Sequence, residues 1–156
     1  MMIKICVFSD SHGSAANMIA AVEREKPALC FFLGDGERDL HALQARFPKL
    51  PIYAVRGNCD LRSKRSASLV CTVGGVTIFA AHGHQHEVKH EFETLAEAAR
   101  EAGAALALFG HTHLPTLEQV QGVTLLNPGA IGSSVRAGYA LLSVENGQFS
   151  AELKTV

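Results

Sequence analysis

Histidines are concentrated in one short stretch of the chain. The segment AHGHQHEVKH, residues 81–90, holds four of the eight histidines in the sequence. Neutral imidazole is a common ligand for divalent ions such as Zn, Mn, Fe and Ni. The stretch therefore raises the question of which of its histidines, if any, hold a metal.

Four further segments carry the same kind of chemistry. They read DSH, GDG, GNCD and GHTH and begin at Asp10, Gly34, Gly57 and Gly110. Each follows a short apolar run, and each supplies carboxylate, carboxamide or imidazole groups that suit divalent ions. A single histidine after a strand is more often an ordinary polar residue than a ligand. Five such segments in one small chain, counting the one at His82, indicate a metal site.

The apolar runs that precede these segments are predicted strands, and helices are predicted between them. The strands are residues 3–8, 29–33, 52–55, 69–73, 76–81 and 104–109, and the helices lie between Ser14 and Pro27, from about Arg38 to Phe47 and from about Glu87 to Glu101. The opening β-α-β-α-β order predicts parallel strands whose carboxyl ends share one edge. Ligands bind in the crevice beyond such ends.

The remaining strands are predicted to be antiparallel. Gly74-Gly75 separates two apolar runs and is typical of a hairpin turn. The last forty residues alternate short apolar runs with turns at Gln121-Gly122 and Asn146-Gly147, which indicates an antiparallel continuation. The crevice is therefore expected where the parallel strands end.

Composition limits the class of protein. The chain has 156 residues, of which 47% are hydrophobic and 19% charged, as expected for one domain spanning residues 1–156. No apolar run approaches the length of a membrane span, and the start lacks the pattern of a signal peptide, so we expect a cytoplasmic protein. A net charge of −1 argues against stable nucleic-acid binding, although it leaves room for a local basic patch. Four dispersed cysteines indicate neither a zinc knuckle nor a disulfide framework.

The order of these motifs resembles that of the calcineurin-like metallophosphoesterases. The cysteine in GNCD, the HGH triplet and the later Asn127-Pro128-Gly129 are similar to the small YfcE-type phosphodiesterases in particular. The resemblance covers nearly the whole chain. It implies an α/β fold in which two packed mixed β-sheets are flanked by helices, an αββα arrangement, with a dinuclear metal site at the carboxyl ends of the strands.

The resemblance also implies the metal ligands and the reaction. One ion would be held by Asp10, His12 and His113 and the other by Asn58, His82 and His111, with Asp35 bridging both. We expect manganese, with Fe, Zn and Ni as alternatives. A metal-activated hydroxide would then attack a small phosphodiester. With two aspartates, one hydroxide and a neutral carboxamide around two divalent ions, the site keeps a net charge of about +1, which attracts one phosphoryl group.

Position 59 departs from the family's common pattern. Many larger members have a histidine there that protonates the leaving group, and the thiol of Cys59 does this poorly because its pKa lies near 8.5. Cys59 and His84 are the two candidate catalytic residues, each weighed against a structural role. His84 is also expected, with Arg56 and Asn58, to bind substrate. Without a strong acid, the enzyme should favour substrates with good leaving groups.

Other polar residues near the motifs are assigned lesser roles. We expect His86 and His90 to lie at a solvated helix start and His41 to be exposed. Asp60 is expected to orient a neighbour rather than to bind metal. The basic residues around GNCD could recruit phosphate, or they could simply belong to a solvated loop. They are Arg56, Arg62, Lys64 and Arg65.

Two other functions stay open at this point. The same site would serve a phosphomonoesterase or pyrophosphohydrolase, although a monoester carries an extra negative charge and no clear clamp for it is visible. A non-catalytic scaffold is the other alternative, because the retromer scaffold subunit resembles this family but has lost ligands. All seven ligand positions are filled here, which favours an enzyme. The resemblance further suggests a homodimer or higher homo-oligomer.

Overall fold

The chain folds into ten strands and three helices in the computed structural model, which describes residues 1–156. The strands are β1 (Ile3–Phe8), β2 (Leu29–Phe32), β3 (Ile52–Ala54), β4 (Ser68–Val73), β5 (Val76–Ala81), β6 (Leu106–Leu108), β7 (Thr116–Val120), β8 (Val123–Asn127), β9 (Gly138–Glu145) and β10 (Gln148–Thr155). The helices are α1 (Ala15–Glu25), α2 (Glu37–Arg46) and α3 (Glu93–Glu101). None of the helices has the length and apolar character needed to cross a membrane.

The strands form two five-stranded mixed sheets. The first sheet has the order β10-β9-β1-β2-β3 and the second β4-β5-β6-β8-β7. In the first sheet β1, β2 and β3 are parallel neighbours, as the β-α-β-α-β order predicts. In the second sheet β6 lies between β5 and β8 and is parallel to both. The first sheet therefore has one parallel half and one antiparallel half, while the second has a parallel centre and antiparallel edges.

Alternating side chains along the strands build three apolar layers. Ile5 and Val7 of β1 pack between the two sheets with Ile78 of β5, while Cys6 and Phe8 face α1 and α2. On the second sheet, alternate residues face α3 in a third cluster. A strand buried on both faces needs apolar residues at every position, which explains the continuous runs in the sequence. The four-layer αββα arrangement is confirmed.

The glycine-containing turns predicted from the sequence close three hairpins. Gly74-Gly75, Gln121-Gly122 and Asn146-Gly147 join antiparallel strands, and both residues of each pair have positive φ. Two consecutive positive φ values are the geometry of type I′ turns, whose twist matches that of the strands they join. The prediction of an antiparallel continuation after residue 115 is therefore confirmed for β7 with β8 and for β9 with β10.

The third helix begins later than the sequence pattern predicts. We expected it from about Glu87, but residues 84–90 form turns and α3 begins at Glu93. Glu87 has φ 57°, outside the right-handed helical region, and Val88 is buried in the cluster beneath α3. The positive φ of Glu87 interrupts the helical geometry at this point, so the helix cannot begin before it.

A buried carboxylate ties the end of α1 to the last two strands. Glu25 is only 7% exposed and accepts hydrogen bonds from the Tyr139 hydroxyl at 2.6 Å and the Lys154 ammonium at 2.8 Å. Burial alone would raise the pKa of Glu25, but these two donors outweigh it, so the pKa lies below the ordinary value. The ionised form is therefore the one that stabilises the fold.

The stabilisation from Glu25 is expected to depend on pH. A carboxyl with a lowered folded-state pKa stabilises above its unfolded value of about 4.3, and this stabilisation is lost as the pH falls through the folded-state pKa. Glu25→Gln should cost about 2 kcal/mol near neutral pH and clearly less near pH 3, measured by urea unfolding. Glu23→Gln, at an exposed ion pair with Arg46, is the matched control and should cost under about 0.5 kcal/mol. An equal cost of Glu25→Gln at both pH values would contradict this role.

Candidate metal centre

The loops that follow four strands meet at one edge of the sandwich. From the first sheet come Asp10 and His12 after β1 and Asp35 after β2, and from the second come His82 after β5, and His111 and His113 after β6. Backbone hydrogen bonds connect the loops within each sheet, from Asp10 N–H to Gly34 and from Gly110 N–H to His82. The predicted ligands of both sheets are thus brought to one place.

Two adjacent groups of side chains have the spacing of metal ligands. In the first, Asp10 Oδ1 lies 3.2 Å from His113 Nε2 and 3.6 Å from His12 Nε2. In the second, His82 Nε2 lies 3.2 Å from Asp35 Oδ2 and 3.8 Å from Asp10 Oδ1. Within each group the donor atoms lie within 4.8 Å of one another, so each group could hold a metal ion.

Each aspartate in the centre uses only one of its oxygens in the protein. Asp10 Oδ2 accepts hydrogen bonds from the Ser9 hydroxyl at 2.5 Å and from His111 N–H at 3.1 Å, while its buried Oδ1 has no hydrogen-bond partner. Asp35 Oδ1 accepts from Cys59 N–H at 2.8 Å and leaves Oδ2 toward the histidines. A buried carboxylate oxygen without a donor is costly, and a cation would satisfy it.

His82 is held in the orientation of a metal ligand. Its Nδ1 lies 2.7 Å from the carbonyl oxygen of Leu33, which can only accept, so Nδ1 carries the proton. The other nitrogen, Nε2, is buried without a hydrogen-bond partner and faces Asp35. Fixing one ring nitrogen on a backbone carbonyl is how proteins orient metal-binding histidines. The unpartnered atoms of Asp10 and His82 therefore fit a divalent cation.

Charges within the centre change the protonation of its members. Burial would raise the pKa of Asp35, but the close approach of His82 and the N–H of Cys59 outweigh it and lower the pKa. Burial would lower the pKa of His82, and the two aspartates reverse that shift and raise it. Burial and the neighbouring His82 lower the pKa of His111. The lowered pKa of Asp35 favours its ionised form, which is the form that binds a cation.

Comparison with known proteins identifies the family. Residues 3–147 match the calcineurin-like phosphoesterase superfamily domain. The probable metallophosphoesterase YsnB of Bacillus subtilis is 32% identical over 148 residues, which cover 92% of this chain and 86% of the Bacillus protein. The chain belongs to the calcineurin-like phosphoesterase superfamily. It is a hydrolase of phosphate esters, and the family implies divalent metal binding.

Solved structures agree with this metallophosphoesterase fold. A predicted phosphoesterase of Streptococcus pneumoniae TIGR4 superposes with a TM-score of 0.83 at 30% identity, covering 99% of this chain and 90% of that one. Vps29 of Entamoeba histolytica, in complex with zinc, gives a TM-score of 0.78 at 21% identity, with 99% and 98% covered. The second likeness concerns the fold alone. The resemblance inferred from the sequence is confirmed at the level of the superfamily.

The metallophosphoesterase centre is built on strained backbone. Five of the seven predicted ligands have positive φ, namely Asp10 (55°), His12 (41°), Asp35 (63°), His111 (71°) and His113 (65°). Residues other than glycine seldom adopt this region, although Asp, Asn and His are enriched in it. Such conformations persist only where surrounding structure enforces them, and they cluster at functional sites. The site is therefore preformed by the fold.

Asp60 of the GNCD segment holds two of the loops together. Its Oδ2 accepts hydrogen bonds from Asp35 N–H and Gly57 N–H, both at 2.8 Å, and its Oδ1 accepts from Gly36 N–H at 3.0 Å and Glu37 N–H at 3.2 Å. The loops touch closely, since a Cβ on Gly34 would lie 2.5 Å from Gly57 N. The predicted orienting role of Asp60 fits these contacts.

The side chains of three polar residues around the centre were given no role from the sequence. Asp39 Oδ2 accepts hydrogen bonds from the Ser11 hydroxyl at 2.6 Å and Gly13 N–H at 2.7 Å, which fixes the loop carrying His12. The third is Asn127, whose amide donates to Gly110 O at 3.2 Å and to the Thr112 hydroxyl at 2.9 Å. The Asn-Pro-Gly sequence at the end of β8 could have pointed to Asn127. No feature of the sequence marks Ser11 or Asp39 as neighbours of the centre.

The remaining predicted ligands lie beside the two groups. The His111 ring centroid is 5.1 Å from that of His82, and the His84 ring is 5.5 Å from the same residue. Asn58 is exposed, with its amide nitrogen 3.7 Å from Cys59 Sγ. His84 Nδ1 is buried without a partner, and burial together with His82 lowers the His84 pKa. The proposed roles of these residues stay predictions.

Cys59 lies in the centre, and its environment keeps the thiol protonated in the metal-free protein. Partial desolvation and the negative charge of Asp35 raise the pKa of Cys59. The side chain is exposed, while its backbone N–H supports Asp35. Cys59 thus supports the structure through its main chain, and no contact of its side chain indicates a catalytic role.

The histidine-rich stretch divides unequally in the structure. Only His82 belongs to the two groups of ligand atoms. The prediction of a solvated helix start was wrong for His86, whose ring packs edge-on against Phe79 at 5.6 Å with a buried Nδ1. His90 is exposed but lies in a turn before α3, and His41 is exposed as expected.

The basic residues around GNCD have different surroundings. Arg65 donates to the Glu37 carboxylate at 2.8 Å and is thereby neutralised. Arg56 is half-buried, and its positive charge contributes to the lowered pKa of His84 after burial and His82. Arg62 and Lys64 are exposed and line a groove that also includes Asp35.

Proposed function

We propose that this metallophosphoesterase is a metal-dependent phosphodiesterase that hydrolyses a small phosphodiester at a dinuclear site. The observation that carries the proposal is the pair of adjacent ligand groups that share Asp10, with buried donor atoms of Asp10 and His82 left without partners. Two ion-binding positions side by side are the arrangement that phosphoryl-transfer enzymes use. Manganese is the proposed ion, with Fe, Zn or Ni as alternatives.

The proposed ligand sets divide the centre as the resemblance implies. Asp10, His12 and His113 would hold one ion, and Asn58, His82 and His111 the other, while Asp35 would bridge. Asp35 Oδ2 is 3.2 Å from His82 Nε2 and 3.8 Å from His12 Nε2. One Asp35 oxygen thus faces a histidine of each set, as does Asp10 Oδ1, so the choice of Asp35 as the bridge rests on the resemblance.

The residues of this chain would bind and orient the phosphoryl group. Bound divalent ions would supply water of lowered pKa and neutralise the phosphate oxygens. Leu33 and Asp60 hold His82 and the Asp35 loop in place before substrate arrives. His84 is proposed to contact a phosphate oxygen, and Arg56 to add positive charge on that side. Asn58, being neutral, leaves the site its excess positive charge.

A diester is favoured over a monoester by charge. A diester brings one negative charge and a monoester nearly two, and no pair of arginines converges on the centre to neutralise the second. A thiol with an ordinary pKa near 8.5, as at Cys59, is a weak acid for the leaving group, so the substrate needs a leaving group that departs without protonation. A small phosphodiester with such a leaving group is the proposed substrate class.

The choice between diester and monoester is tested with two aryl phosphates. The protein loaded with manganese should hydrolyse bis(4-nitrophenyl) phosphate at least about tenfold faster, in kcat/KM, than 4-nitrophenyl phosphate. Chelation of the metal should abolish both activities, and restoring manganese should return them. A preference for the monoester would replace the proposal with a phosphomonoesterase, and equal rates with and without metal would reject the metal-dependent reaction.

Several further expectations are not tested by the structure or the comparisons. The small-molecule partner, the lack of stable nucleic-acid binding, the homo-oligomeric state and the cytoplasmic location stay predictions.

A further inference from the structure

A polar groove of about 720 Å³ extends from the candidate metal centre over the start of α2. His12, Asp35 and Cys59 line the end at the metal centre. Three exposed cations, Arg38, Arg62 and Lys64, line the same groove. A molecule whose phosphoryl group lies at the centre could therefore extend into a region of positive charge.

The carboxylates in the same groove do not cancel these cations at the surface. Glu37 is paired with Arg65 at 2.8 Å, an arginine outside the groove lining. Both carboxylate oxygens of Asp60 accept hydrogen bonds from backbone N–H groups, four in all. Asp39 is buried and accepts hydrogen bonds from the loop that carries His12. Asp35 belongs to the metal centre. The exposed charged side chains that line the groove are therefore the three cations, in a chain with a net charge of −1.

We propose that this groove is a subsite for a second phosphate group on the substrate. The substrate class is then a phosphodiester that carries, several bonds from the ester to be cleaved, a further phosphate bound by Arg38, Arg62 and Lys64. Arginine and lysine form charge-assisted hydrogen bonds to phosphate, and a groove concentrates their field. The assignment rests on the proposed function, which it deepens by naming what the rest of the substrate must carry.

Binding measured by calorimetry tests the subsite without turnover. The probes are thymidine 5′-phosphate and thymidine 3′,5′-bisphosphate, which differ only in the second phosphate, titrated into the manganese-loaded protein at physiological salt. The bisphosphate is expected to bind about tenfold more tightly. In the double variant Arg62→Gln, Lys64→Gln this preference should fall below about threefold, while in Arg100→Gln, an exposed arginine on α3, it should remain. Equal affinity for the two probes, or an unchanged preference in the double variant, would overturn the subsite.

Turnover tests the same subsite together with the proposed function. The matched substrates are thymidine 5′-(4-nitrophenyl phosphate) and its 3′-phosphorylated form, and the expected kcat/KM ratio is about ten in favour of the phosphorylated one. A ratio near one would overturn the subsite for catalysis. The two failures are distinguishable, because preferential hydrolysis of a monoester rejects the phosphodiesterase, whereas the calorimetric preference decides on the groove itself.

Discussion

Replacing Asp35 with asparagine is expected to reduce manganese-dependent hydrolysis of bis(4-nitrophenyl) phosphate about a thousandfold. The proposed bridging ligand contributes a negative charge between two cations, and a carboxamide of the same shape lacks that charge. The carboxamide oxygen can still accept the Cys59 N–H that Asp35 Oδ1 accepts at 2.8 Å. Metal bound per chain, measured on the purified and reconstituted protein, should fall below that of the wild type.

The fold should survive this change, which separates lost chemistry from lost structure. Asparagine tolerates the positive φ of 63° at this position, so the metal-free variant should still fold, with a melting temperature lowered only by the loss of the charged contact between Asp35 and His82. His90→Gln is the matched control, because His90 is an exposed histidine of the same stretch and lies outside both ligand groups. Wild-type metal content and rate in Asp35→Asn would remove Asp35 from the centre.

Replacing Asp60 with alanine is expected to cost about 3 kcal/mol of unfolding free energy, although Asp60 contacts no apolar core. Its carboxylate accepts four backbone N–H groups, including those of Asp35 and Gly57 at 2.8 Å. Alanine would leave those donors without an acceptor and free the two loops from each other. Urea unfolding of the metal-free protein measures the loss, and the melting temperature should drop by roughly 10 °C.

Two further variants show whether the effect arises from these hydrogen bonds. Asp60→Asn keeps one acceptor oxygen and should lie between the wild type and alanine. Glu101→Ala removes an exposed carboxylate at the end of α3 and should change stability by less than about 0.5 kcal/mol. A loss of similar size in Glu101→Ala and Asp60→Ala would indicate a general effect of charge instead of the loop contacts.

The sequence allowed the strands and the meeting of their ends to be predicted because both follow from local signals. Strands buried on both faces show as apolar runs, and a β-α-β connection has one hand, so Asp10 and Asp35 had to share an edge. The second sheet joins the same edge only through packing of the two sheets, for which the chain carries no local signal. Its contribution was inferred from the number of ligand-bearing segments in the chain and from the family resemblance.

Residues whose role depends on tertiary contacts could not be predicted in this way. His86 lies in the same histidine-rich stretch as His82 and was expected to be solvated, yet its ring packs against Phe79. Glu87 adopts a positive φ that lets Val88 enter the core, which a helical period could not reveal. Asp39 is one more acidic residue in a helix until the fold brings it to Ser11.

The positive φ values at Asp10, His12, Asp35, His111 and His113 restrict how this site can diverge over evolutionary time. Two independent demands act on each position, since the side chain must supply a donor atom and the backbone must tolerate a left-handed conformation. Aspartate, asparagine and histidine meet both, and most other residues fail the second even where the first no longer matters. A descendant that no longer catalyses the reaction can therefore replace aspartate with asparagine at little cost in stability. Almost any other replacement at these positions would destabilise it. Such a descendant would keep the outline of a metal centre long after it stopped binding metal.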